Sequence, residues 1–105
     1  MTLETHFAIP IDSRAIEAFC QKWRVAELSL FGSVVKPEEF RDDSDIDVMV
    51  TFEGDARWTL FDFVNMKDEL TEVFGRKVDL LSKRALKNRF RRQAILASAR
   101  VVYAA

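Results

Sequence analysis

Two aspartates at the start of an alternating apolar segment constrain this chain more than any other feature of its sequence. Residues 45–52 (DIDVMVTF) predict a strand, because apolar residues recur at every second position. Side chains alternate between the two faces of a strand, which puts Ile46, Val48, Val50 and Phe52 on the buried face and Asp45, Asp47, Met49 and Thr51 opposite. Two carboxylates on one face repel each other and lose hydration. They therefore indicate a bound cation, Mg²⁺ in particular, which takes a few carboxylates together with substrate phosphates.

A Gly-Ser pair upstream of these aspartates offers a phosphate site. Gly32 and Ser33 directly follow residues 25–31, an apolar segment that predicts the first strand. Glycine lets the backbone approach an anion closely, and the hydroxyl and backbone N–H groups can donate hydrogen bonds to it. A third carboxylate, Asp79, lies in the run KVDLL, another predicted strand. Together these residues indicate a metal-assisted enzyme that acts on a nucleotide.

The order of these residues resembles the motif of the nucleotidyltransferase superfamily typified by DNA polymerase beta. That motif is Gly-Ser, a loop and Asp-x-Asp, and the family adds a third carboxylate on a neighbouring strand. The matching residues here are Gly32, Ser33, Asp45, Asp47 and Asp79. The chain resembles in particular the minimal, MNT-type members, which are single small domains often encoded beside a HEPN-domain protein. The resemblance covers nearly the whole chain and ends with the predicted strand at residues 100–104.

The resemblance implies a two-metal transfer reaction at this site. Asp45 and Asp47 would hold two Mg²⁺ ions that bridge the phosphates of ATP or another NTP. Asp79 would ligate the catalytic ion and help to deprotonate the attacking hydroxyl, as in phosphoryl transfer generally. The hydroxyl would attack the α-phosphate, and pyrophosphate would leave.

The residues after Ser33 depart from the pattern of that family. Many minimal members place a basic residue there and continue Arg-x-Arg-Gly or similar, whereas this chain continues Val34, Val35, Lys36 and Pro37. Lys36 is the candidate to supply part of the missing positive charge at the nucleotide site. The departure leaves open a weakened or selective nucleotide site.

Two classes of function follow from these residues. The first is a Mg²⁺-dependent nucleotidyltransferase, whose acceptor we expect to be held by another protein. The MNT family implies an antitoxin that adds AMP to a hydroxyl of a HEPN-type RNase toxin. A small-molecule acceptor is the alternative within this class, although related aminoglycoside-modifying enzymes use a second domain to enclose the drug. The second class is a non-catalytic module that neutralises its partner sterically.

Size and charge place the chain among small globular domains. We expect one minimal nucleotidyltransferase domain over residues 1–105, because a domain typically has about 100–150 residues. The formal net charge of −1 gives no general attraction to nucleic acid. The sequence has no apolar run near the roughly 20 residues of a membrane span and no signal-peptide pattern. We therefore expect a cytoplasmic protein without direct contact to membrane or nucleic acid.

The pattern of apolar and capping residues predicts an α+β (or α/β) layered fold, with one mixed sheet packed against helices. The predicted elements are a lead-in at 1–11, a helix capped by Asp12 or Ser13, strands at 25–31 and 45–52, a short turn at 33–36, a helix from the Thr59 cap to Phe74, a strand at 77–81, a helix from Ser82 to about Ser98, and a short strand at 101–103. Apolar positions of the middle helix include Leu60, Phe63, Val64, Leu70 and Val73, and Gly75 ends this helix.

The last predicted helix is rich in cations, which are Lys83, Arg84, Lys87, Arg89, Arg91 and Arg92. Such a run is usually the solvated face of an amphipathic helix, here opposite Ala85, Leu86, Phe90 and Ala94. The alternative is contact with an acidic partner or with the triphosphate. The nine Phe residues are expected in the core, except that Phe40 and Trp58 are candidates for a partner contact.

Nucleophilic and zinc chemistry receive little support. Cys20 lies on the apolar face of the first predicted helix, which favours a packed thiol. His6, in the predicted lead-in, is the only histidine. A Cys–His or Ser–His pair and a zinc site therefore lack the residues they need.

Overall fold

A computed structural model describes residues 7–105, so His6 and the first part of the predicted lead-in lie outside the described residues. The elements are α1 (Ser13–Lys22), β1 (Val25–Phe31), β2 (Ile46–Phe52), α2 (Leu60–Phe74), β3 (Val78–Ser82), α3 (Arg89–Ser98) and β4 (Arg100–Ala104). Short 3₁₀ turns occur at Gly32–Val35, Pro37–Glu39 and Lys83–Ala85. Within the described residues, no helix combines the length and apolar composition needed to cross a membrane.

The four strands form one mixed sheet in the order β3-β2-β1-β4. β1 is antiparallel to both of its neighbours, β2 and β4, whereas β2 and β3 are parallel and are connected through α2. A parallel pair needs such a crossover, because a tight hairpin can join only antiparallel strands. The predicted α+β layered fold with a mixed sheet is confirmed.

Local hydrogen bonds explain where the first two helices begin and end. Asp12 caps α1, with Oδ1 accepting from the backbone N–H of Ala15 at 3.1 Å. Thr59 and Asp62 form a capping box at the start of α2, in which each side chain accepts from the backbone N–H of the other residue. Gly75 ends α2 in the left-handed conformation, with φ of 69°. The predicted caps of both helices are confirmed.

One face of the sheet packs against α1 and α2 and forms the main core; we call it the helix-packed face. Its buried strand residues are Leu28, Leu30, Ile46, Val48, Val50 and Val78, and the helices contribute Ile16, Phe19, Cys20, Met66 and Leu70. Cys20 is fully buried, and burial raises the pKa of its thiol to about 12. The interpretation of Cys20 as a packed thiol is therefore confirmed.

The opposite face of the sheet carries Asp47 and Asp79 together with Met49 and Leu81; we call it the carboxylate face. Met49 was predicted on the face opposite the buried one, and it lies there, but only 3% of its surface is exposed. The reason is α3, which crosses this face and packs Ile95, with the preceding Leu86, against Met49. Strand alternation predicted the face of Met49 correctly, but it cannot reveal a second layer that buries this face.

Several predictions for the last helix were also wrong. Ser82 ends β3, a 3₁₀ turn follows, and α3 starts only at Arg89, where Asn88 caps it by accepting from the N–H of Arg91 at 3.0 Å. Phe90 was expected on the apolar side but is 78% exposed. Ile95 instead is the buried residue of α3.

Apolar residues at the start of α2 are exposed, against expectation. They are Leu60, Phe61 and Val64. The expectation that Leu60 and Val64 are apolar packing positions of α2 was therefore wrong. The exposure of Phe61 and Phe90 also contradicts the expectation that these Phe residues lie in the core. Trp58 is half-buried, and its ring makes an edge contact with Trp23 at 5.2 Å between centroids. Phe63 of the same turn packs inward instead, and its ring makes an edge contact with Phe52 of β2 at 5.8 Å between centroids.

Candidate active site

Gly32 and Asp47 lie side by side because β1 and β2 pair Phe31 with Asp47. Gly32 has φ of 74°, in the left-handed region that favours glycine. A Cβ added at Gly32 would collide with Oδ2 of Asp47 and lie 3.2 Å from its Cγ. A side chain at position 32 would therefore displace the Asp47 carboxylate, and glycine is required for two independent reasons.

The three predicted carboxylates lie at one end of the carboxylate face. The parallel ladder pairs Asp47 with Asp79, and the residues before them, Ile46 and Val78, pair below in the core. Asp45 precedes β2 by one residue and therefore lies on the same side as Asp47. The fold thus brings Asp79 to two aspartates that precede it by more than thirty positions in the sequence.

The electrostatics of the site are dominated by this grouping. Burial raises the pKa of Asp47, and the negative charges of Asp79 and Asp45 raise it further. The positive charge of Arg91, from α3, acts in the opposite direction. A cation bound next to Asp47 would therefore stabilise the charged form of its carboxylate.

The donor chemistry of the site fits Mg²⁺, which takes oxygen ligands and retains room for substrate phosphates and water. Asp79 is exposed, and Oδ2 of Asp45 lies 4.0 Å from Nζ of Lys77. In residues 7–105, no three His, Cys, Asp or Glu side chains are drawn together as a metal-binding group. The pairing of β2 with β3 nevertheless puts Asp47 and Asp79 side by side on one face of the sheet.

The Gly-Ser turn lies next to this group. Ser33 is half-buried in the 3₁₀ turn Gly32–Val35, and its backbone oxygen accepts from the N–H of Lys36 at 2.9 Å. Val34 is fully buried in the main core, so the position that departs from the family pattern here anchors the turn. Lys36 is exposed, with Nζ 4.0 Å from Oε2 of Glu39.

Arg76 is a positioning residue that the sequence analysis missed. Its Nη1 donates to the backbone oxygens of Asp42 at 2.8 Å and Arg41 at 3.2 Å. Its guanidinium also lies over the ring of Phe40, 4.5 Å from the centroid. Arg76 thus ties the loop that leads into Asp45 to the start of β3. No local pattern around an arginine between a helix and a strand could have indicated these long-range contacts.

Comparison with known proteins agrees with this geometry. Residues 12–102 match the family described as "Nucleotidyltransferase domain". The protein adenylyltransferase MntA of Thermococcus cleftensis is 35% identical over 68 residues, which is 65% of this chain and 66% of that protein.

Two solved structures share the fold. One, described as a minimal nucleotidyltransferase, is 34% identical, covers 84% of this chain and 86% of its own, and superposes with a TM-score of 0.67. The other, a complex of a tri-AMPylated HEPN toxin from Shewanella oneidensis with its MNT antitoxin, covers 89% of this chain and 70% of its own. Its TM-score is 0.62 at 16% identity, which establishes the fold. From the family match and the structural likeness, this chain belongs to the nucleotidyltransferase family, as a minimal, MNT-type member.

Proposed function

We propose that this enzyme transfers AMP from ATP, with two Mg²⁺ ions, onto a hydroxyl of a partner protein, and that the partner is a HEPN-type RNase toxin. The observation that carries the proposal is the lateral pairing of Asp47 with Asp79, with Gly32 packed directly against the Asp47 carboxylate. This arrangement places two carboxylates beside a turn that can bind phosphate. The protein adenylyltransferase relative and the AMPylated toxin complex support the choice of AMP and of the partner.

Each residue of the site has a separate role in the proposed reaction. Ser33 and the backbone N–H groups of the Gly32–Val35 turn bind phosphate oxygens of the nucleotide. Asp45 and Asp47 would hold the metal ions, and Asp79 would ligate the catalytic ion and accept the proton of the attacking hydroxyl. The hydroxyl oxygen forms a bond to the α-phosphorus, the α–β phosphoanhydride bond breaks, and pyrophosphate leaves with its electron pair. Bound Mg²⁺ supplies the positive charge that the transition state needs.

The open position of the carboxylates supports a protein acceptor. Asp79 is exposed at the candidate site. A small acceptor would need walls to hold it, because small-molecule sites bury most of their ligand. A large partner can instead bring its own surface and cover the site when it docks.

The test is transfer of label from ATP to a co-purified HEPN partner. With Mg²⁺, label at the α-phosphate should move to the partner, whereas label at the γ-phosphate should not. Asp47→Asn should lower the rate at least about 100-fold, because it removes preorganised charge at the metal site. Asp68→Asn, on the exposed side of α2, is the matched control and should transfer as wild type does.

Two results would contradict the proposal. Transfer that continues unchanged in Asp47→Asn would place the chemistry elsewhere. Neutralisation of the toxin by Asp47→Asn with no label on the toxin would identify a steric module instead of an enzyme.

A further inference from the structure

Arg91 lies on the side of α3 that faces the carboxylates. Ile95, one turn later on the same side of the helix, packs against Met49 of β2. Met49 follows Asp47 by two residues and therefore lies on the same face of the strand. Arg91 therefore projects from the side of α3 that packs on the carboxylate face.

Two further observations agree with this placement. α3 approaches the Gly32–Val35 turn, whose first residue contacts the Asp47 carboxylate. The charge of Arg91 also lowers the pKa of Asp47, against the effect of the neighbouring carboxylates. The side of α3 from which Arg91 projects and the effect of its charge on Asp47 thus agree in placing this guanidinium near the candidate nucleotide site.

The site needs such a cation. A triphosphate adds several negative charges to a region that already holds three carboxylates, and two Mg²⁺ ions offset only part of them. Position 34 is occupied by a buried valine, and Lys36 lies next to Glu39 on the exposed side of its turn. An arginine can bind phosphate oxygens in a bidentate manner, which a lysine cannot do.

We propose that Arg91 binds the β- and γ-phosphates of the nucleoside triphosphate and so replaces, from α3, the positive charge absent after Gly-Ser. This inference rests on the proposed nucleotide chemistry of the same site. Arg91 therefore distinguishes a triphosphate from a monophosphate, because AMP lacks the groups that the guanidinium contacts. The cation-rich segment before and within α3 then divides into one residue that contacts substrate and others that remain solvated.

The test compares Arg91→Met with Arg89→Met, which removes the same charge from the same helix. The Arg89 guanidinium lies 6.0 Å from the ring of the exposed Phe90. Calorimetric titration with Mg²⁺–ATP should show affinity about 10- to 100-fold weaker for Arg91→Met, the range expected for losing a hydrogen-bonded charge. Affinity for AMP should not change. Arg91→Lys should be intermediate, and Arg89→Met should match wild type.

Each other outcome overturns the inference or separates it from the proposed reaction. If Arg91→Met binds Mg²⁺–ATP as tightly as wild type, or loses AMP and ATP affinity equally while melting lower, Arg91 does not recognise the triphosphate. If wild type binds no nucleotide at all, both proposals fall. If wild type binds Mg²⁺–ATP with the expected dependence on Arg91 but transfers nothing, only the proposed transfer is wrong.

Discussion

The two faces of the sheet are built from the same strands but differ in the side chains they carry and in the helices that cover them. The helix-packed face is closed by two helices, and its strand residues are fully buried and apolar. On the carboxylate face, α3 covers Met49, and the same face presents Asp47 and Asp79. Charged groups are tolerated there because Asp79 is exposed and the positive charge of Arg91, from α3, acts against the burial that raises the pKa of Asp47. A half-covered face therefore gives both a rigid support and an open reactive edge.

The largest expected effect comes from Gly32, which lies against the Asp47 carboxylate of the carboxylate face. Gly32→Ala should lower AMP transfer at least about 100-fold, because the new Cβ displaces the Asp47 carboxylate. Gly75→Ala is the matched control, since Gly75 also has a left-handed φ of 69° but has nothing within 4 Å of the added Cβ.

Label transfer and thermal melting of both variants separate chemistry from folding. Each should lose about 1–2 kcal/mol of stability from the left-handed backbone, and only Gly32→Ala should lose activity. Equal activity in the two variants would show that the close approach of Gly32 to Asp47 is not needed.

Truncating one core residue on each side tests how the two faces divide stability and function. Leu70→Ala removes a fully buried side chain that packs on the helix-packed face, and it should lower the free energy of unfolding by about 2–5 kcal/mol. Each kcal/mol lost should lower the melting temperature by about 4–8 °C. Ile95→Ala, on the carboxylate face, should cost less, because fewer buried side chains surround it.

The two variants should rank in the opposite order when nucleotide affinity is measured instead of stability. Ile95→Ala should weaken Mg²⁺–ATP binding, since Ile95 holds α3 and Arg91 in position, whereas Leu70→Ala should leave it unchanged in the folded protein. Calorimetry below both melting temperatures measures this difference. An Ile95→Ala protein with wild-type affinity would disconnect α3 from the site.

The smallest expected effect is a pH dependence of stability that arises at Asp47. Its pKa is raised in the folded protein, first by burial and then by Asp79 and Asp45. The folded state therefore binds this proton more tightly than the unfolded state does, and the stability gained in acid is lost as pH rises through the folded pKa. Asp47→Asn removes that loss, so the metal-free variant should gain stability relative to wild type at neutral pH.

Denaturant unfolding in the presence of chelator, at neutral pH and at a pH below the ordinary pKa of aspartate, measures this difference. The advantage of Asp47→Asn should be present at neutral pH and disappear in acid, and Mg²⁺ should reduce it. An advantage independent of pH would assign the effect to packing rather than to charge.

Much of the site could be predicted because its residues lie in short local patterns. The alternation in residues 45–52 and the Gly-Ser pair identify two elements that meet, and Asp79 follows from its strand pattern. Arg76 and Arg91 could not be assigned in the same way, because their contacts cross the sheet and the loops. A cation-rich segment looks the same whether it is solvated or faces a carboxylate.

The sequence by itself determined the class of fold and the caps of the first two helices, and it identified Gly32, Ser33 and the aspartates as candidates for one site. Backbone preference, hydrogen bonding of nearby groups and strand alternation act over a few residues, so they are visible in the order of residues. The tertiary structure alone decided that α3 covers Met49, that Val34 is buried, and which arginine faces Asp47. Those outcomes depend on packing between segments far apart in the chain, which local preference does not encode.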